Sequence, residues 1–79
     1  MWEFDIDFNG HGMYGDSYTV YSYDPELNYG YSTIMEKLFY GYTQKEIITK
    51  IKNEIYERFG IKKAKFTFYN NLTGKRRRC

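Results

Sequence analysis

The sequence predicts a small α+β domain, an antiparallel sheet of three or four strands with one main helix, about residues 44–59, packed on one face. Three observations carry this expectation: a strictly alternating run at the start, a capped helical stripe in the middle, and a second alternating run near the end. At 79 residues the chain supports a single domain, expected over residues 1–74. A domain of that size buries only about 60% of the surface its unfolded chain exposes. Aromatic side chains compensate: they make up 22% of the chain, ten of them Tyr, and each buried ring removes roughly 150–250 Å² from water. Ten tyrosines exceed what so small a core holds, so some are expected on the surface as contact residues.

Taken in order, "WEFDIDF" sets Trp2, Phe4, Ile6 and Phe8 on one face and Glu3, Asp5 and Asp7 on the other, the period of a half-buried strand. "NGHGMYGD", residues 9–16, supplies glycines for a hairpin loop. "SYTVYSY", residues 17–23, reads as the returning strand, with Tyr18 and Val20 on one face and Thr19, Tyr21 and Tyr23 on the other. "DPELNYGY" breaks it. "STIMEKLFYGY" fits a short helix, with Thr33 and Glu36 as a capping box, or a strand that turns at Gly41 into the next helix; eight residues make a marginal helix, which favours the strand. In "TQKEIITKIKNEIYERFG" the residues Ile47, Ile48, Ile51, Ile55 and Phe59 recur at helical spacing, Thr43 and Glu46 form a capping box, and Gly60 is the stop. "KAKFTFYN" alternates Phe66 and Phe68 against Lys65, Thr67 and Tyr69, giving a final strand. "KRRRC", residues 75–79, is expected to be a basic, disordered tail.

The charges are unevenly placed. All ten acidic residues precede Gly60, whereas seven of the twelve Lys and Arg follow it. Pairing of the first strand with the last would set Glu3, Asp5 and Asp7 beside Lys63 and Lys65, where each opposite-charge pair contributes a few tenths to about 1 kcal/mol. This architectural account is preferred to a carboxylate metal site, because no further carboxylate is placed to complete a coordination shell.

The glycines at 10, 12 and 15 spell GxGxxG. A dinucleotide-binding fingerprint needs a helix after them, and here a strand follows. The spacing is similar, over eight residues, to the glycine-rich loop of protein kinases, which also joins two antiparallel strands. Ser17 stands where that pattern has Val, and no catalytic or magnesium-binding motif follows. "GYTQKEIITKI", residues 41–51, is similar to the first helix of helix-turn-helix regulators. Its apolar stripe continues to Phe59 instead of turning into a recognition helix, which favours a helix packed on a sheet. His11 has no second His or internal Cys to complete a common zinc site and reads as an exposed loop residue.

No catalytic, cofactor-binding or metal-binding residue is therefore assigned, and the chain is expected not to be an enzyme. Its one cysteine, Cys79, allows no internal disulfide, and no apolar run suits a membrane span or secretory signal, so a cytoplasmic protein with no membrane partner is expected. The expected function is that of a small binding protein acting on a protein or nucleoprotein partner. Tyr14 in the hairpin loop and residue 19, Thr19, are the candidate contact positions. A composition rich in residues with AT-rich codons suits an accessory or inhibitor protein of a phage or mobile element. The alternative is a nucleic-acid-binding module using the basic C-terminus and exposed tyrosines.

Overall fold

In the computed structural model, which describes residues 2–23 and 30–79, the alternating N-terminal run becomes β1 (Glu3–Gly12). It is followed by β2 (Gly15–Tyr23), β3 (Tyr31–Phe39), α1 (Gln44–Phe59), β4 (Lys65–Asn70) and β5 (Lys75–Arg78). One sheet results, in the order β3-β2-β1-β4-β5. The α+β class is as expected, with five strands in place of three or four. Most of the break expected in "DPELNYGY" lies outside the described residues.

β1 and β4 are neighbours, as their opposed charges suggested, but they run parallel, from Glu3 opposite Lys65 to Phe8 opposite Asn70. The sheet is thus mixed and not antiparallel. Connectivity explains this: two reversals return the chain to the β1 direction in β3, and a strand–helix–strand crossover then delivers β4 in that same direction. The second correction concerns residues 75–78. They form β5, antiparallel to β4, where a disordered tail was expected. "NNLTG" makes the turn: the Asn70 side chain accepts from the backbone N–H groups of Leu72 and Thr73 at 2.8 and 3.3 Å. Gly74 adopts φ 73° and donates its N–H to the Asn70 carbonyl at 2.8 Å, a side-chain-stabilised turn closed by a left-handed glycine.

The ambiguous segment is a strand, β3, and the helix spans the expected residues. Thr43 accepts from the Glu46 N–H while the Glu46 carboxylate accepts from the Thr43 N–H, and Gly60 ends α1 in the left-handed conformation. The helix lays Ile47, Ile48, Ile51 and Ile55 on Phe4, Ile6, Phe8, Tyr18, Val20, Met35, Phe66 and Phe68 of the sheet, and all twelve are buried. Tyr18 places its ring in this core and shares a hydrogen bond with the Gln44 side chain; burial is the main cause of its raised hydroxyl pKa. The molecule is 18 Å deep along its shortest axis, the thickness of two layers.

Candidate functional site

α1 covers one face of the sheet, and among the described residues no element crosses the other. Strand alternation and register build this open face. Tyr31, Tyr23, Glu3 and Lys65 form one row across the strands. Thr33, Tyr21, Asp5, Thr67 and Arg78 form the next, and Glu36, Thr19, Asp7, Tyr69 and Arg76 the third. Tyrosines thus flank a central acidic strip, and arginines close the β5 side. The Tyr23 and Tyr31 rings lie 5.3 Å apart. On the opposite side Arg76 sits 5.1 Å from the Tyr69 ring centre and 4.0 Å from the Asp5 carboxylate.

The expected partners of the acidic row are therefore only partly the observed ones. Lys65 stands opposite Glu3, but Lys63 precedes β4, and Asp5 and Asp7 face Thr67 and Tyr69. The cation within ion-pair reach of the row comes instead from β5. Burial pushes the Asp5 carboxyl above its ordinary range, Arg76 draws it back and Glu3 raises it further. Asp7 is raised by burial and then by Asp5, again opposed by Arg76. The Tyr31 hydroxyl is raised chiefly by the charge of Asp5. These shifts describe one electrostatic unit, a set of carboxylates half-shielded by aromatic neighbours.

The two candidate contact positions are not brought together. Tyr14 is at the tip of the β1–β2 hairpin, 78% exposed beside Met13, whereas Thr19 lies five residues on, about 17 Å along an extended strand. Thr19 is on the open face, where its hydroxyl accepts from the Asn9 side-chain amide at 2.8 Å; the Asn9 side-chain oxygen accepts in turn from the Asn71 side-chain amide at 2.7 Å. Asn9 is the bulged residue of β1, so the extra residue ties β2 to the turn before β5. The glycine-rich segment is a two-residue hairpin turn between Gly12 and Gly15. Gly15 has φ 130°, and a Cβ there would meet the Phe39 carbonyl oxygen at 2.6 Å; close approach of β3, not a ligand, accounts for that glycine. His11 packs against the Phe8 ring and pairs with Asp16 across the hairpin. Sequence reasoning did not assign Tyr31, Tyr69 or Arg76 to a common face. The Asn-rich turn closed by Gly74 was the signal that could have placed Arg76 there.

The two flanks of α1 also differ. Toward β3, Lys37 pairs with Glu54 at 2.9 Å, and Arg58 donates to the Ile34 carbonyl at 2.9 Å, beside the irregularity where β2 and β3 shift register. Toward β5 the walls carry Lys45, Lys52, Lys75, Arg76 and Arg77. Among the described residues no three His, Cys, Asp or Glu side chains converge to hold a metal ion, and no helix is long and apolar enough to cross a membrane. Compared with protein-family models, curated proteins and solved structures, the chain matches none.

Proposed function

We propose that this chain is a non-enzymatic binding protein whose open sheet face receives a cationic segment of a partner protein. The observation that carries the reading is the placement of Glu3, Asp5 and Asp7 in a single strip bordered by Tyr21, Tyr23, Tyr31 and Tyr69. A Lys or Arg side chain entering the strip gains carboxylate partners and ring faces together. Tyr suits such a role because it presents large rigid area at low entropic cost and carries its own hydroxyl. The same strip repels phosphate, which favours protein over nucleic acid on this face. An accessory or inhibitor role in a phage or mobile element is the setting suggested by composition.

The test is capture of partners from native lysate, with nuclease treatment in parallel, by the intact protein and by Tyr21→Ala/Asp5→Asn and Tyr14→Ala variants. The expected partner survives nuclease, is lost with the Tyr21/Asp5 variant and persists with Tyr14→Ala. A captured protein that ignores the open-face variant would remove this reading.

A further inference from the structure

α1 does not fill the space above β4 and β5. Two adjoining hollows of about 430 and 350 Å³ open between the helix and the edge strand, sharing Gln44 and Arg77 on their walls. Lys45, Lys52, Lys75, Arg76 and Arg77 line them, and no Asp or Glu does. The ion pairs among the described residues are His11–Asp16, Lys37–Glu54 and Arg76–Asp5, so of the five groove cations Arg76 is engaged by a carboxylate there, and Lys45, Lys52, Lys75 and Arg77 are not. Two are positioned by aromatic rings of β4: Lys52 lies 5.1 Å from the Phe66 ring centre and the Arg77 guanidinium 4.9 Å from that of Phe68. A ring face holds a cation in place without occupying its N–H donors. Four like charges gathered with no Asp or Glu among the described residues beside them repel one another and attract an anion.

We infer that this groove binds the phosphate backbone of a single-stranded nucleic acid. Lys45 and Lys52 are two helical turns apart, about 10 Å, and Lys75 and Arg77 about 7 Å apart along β5, so the cations form two rails along one cleft. Gln44, Thr49 and Thr73 stand among them, adding the neutral side-chain donors that commonly accompany Lys and Arg on phosphate oxygens. An extended strand enters a cleft between a helix and a sheet edge, whereas a duplex presents its phosphates on a convex surface. The four cations without a carboxylate partner are on the helix side of the sheet, and Arg76 is the wall residue shared with the open face.

Fluorescence anisotropy with labelled oligothymidylate and oligouridylate of about twenty nucleotides tests the inference. Binding is expected at micromolar protein in about 50 mM salt, with a log–log salt slope of about −2 to −3 as three or four phosphates shed counterions. Lys52→Gln with Arg77→Gln should weaken binding about tenfold or more and flatten the slope by about 1.4. Lys45→Gln alone, at an exposed helix position, should flatten it by about 0.7, and Lys50→Gln on another side of α1 should change neither quantity. Circular dichroism melting of each variant verifies that the fold is retained. The inference is overturned by absence of binding to both oligonucleotides at low salt, or by equal weakening from Lys50→Gln. Displacement of the label by polyglutamate at lower concentration than by unlabelled oligonucleotide would also overturn it, assigning the groove to an acidic peptide.

Discussion

One helix separates two grooves of opposite design. On the β3 flank, Lys37 meets Glu54 and Arg58 reaches the Ile34 carbonyl, so the charges there hold the molecule together. On the β5 flank, Lys45, Lys52, Lys75 and Arg77 pair with no carboxylate among the described residues. Both flanks are built from ordinary polar positions of an amphipathic helix, and only the strand beside each decides its use. The comparison teaches that charge within a fold is informative when its partner is missing: a neutralised flank explains itself structurally, and an unneutralised one points outward.

The strongest way to break this comparison is to remove the helix that creates both flanks. Ile51 is 1% exposed at the centre of the apolar stripe, and Ile51→Asp would bury a charge at a cost of several kcal/mol, comparable with the whole stability of a small domain. Loss of the cooperative melting transition by circular dichroism is expected; an unchanged melt would refute the assigned helix face. Gly15→Ala acts on one side. Its Cβ collides with the Phe39 carbonyl at a positive φ, which costs about 1–3 kcal/mol, and hydrogen exchange should quicken in β2 and β3 before β4 and β5.

A finer contrast comes from matched substitutions. Arg58→Met deprives the Ile34 carbonyl of its donor and should cost about 1 kcal/mol, whereas Lys52→Met, which removes one of several mutually repelling cations, should stay within about 0.5 kcal/mol of the parent. Equal losses in chemical denaturation would erase the distinction between the flanks. The smallest effect is on the open face. Because burial raises the folded-state carboxyls of Asp5 and Asp7, their protonation favours the fold fully below the unfolded pKa, and that contribution is lost as pH rises through the raised folded value. Asp7→Asn should therefore stabilise the protein at pH 7 by a few tenths of a kcal/mol after solvent screening, an advantage that disappears in acid. Glu46 has the opposite sign: its backbone bond from Thr43 lowers its carboxyl, so its contribution is present above the unfolded pKa and fades as pH falls through the folded one.

The helix and the first two strands were legible because each carries a pattern complete within itself: a capping box, a stripe ended by Gly60, an alternation flanked by glycines. The parallel pairing of β1 with β4 was not, since alternation records which face a side chain takes and nothing of strand direction. β5 was hidden by its composition. Four basic residues in succession lack any alternation, and their strand conformation depends on the Asn70 turn and on Tyr69 and Phe68 receiving Arg76 and Arg77. Tyr14 was legible as exposed, but the grouping of Tyr21, Tyr23, Tyr31 and Tyr69 required the registers of three strand pairs.

The central place of β1 has a consequence for biosynthesis. Both its neighbours come later in the chain, and β4 follows it by roughly sixty residues, a delay of about 3–12 s at ordinary translation rates. Throughout that interval one side of β1 is an unpaired edge, and Phe4, Ile6 and Phe8 lack their cover until α1, which precedes β4, has been made. Glu3, Asp5 and Asp7 discourage two nascent copies from joining along that edge, the manner in which charge protects exposed strands. Replacing all three by their amides is accordingly expected to raise the melting temperature of the finished protein while lowering the fraction recovered unaggregated from cell-free translation.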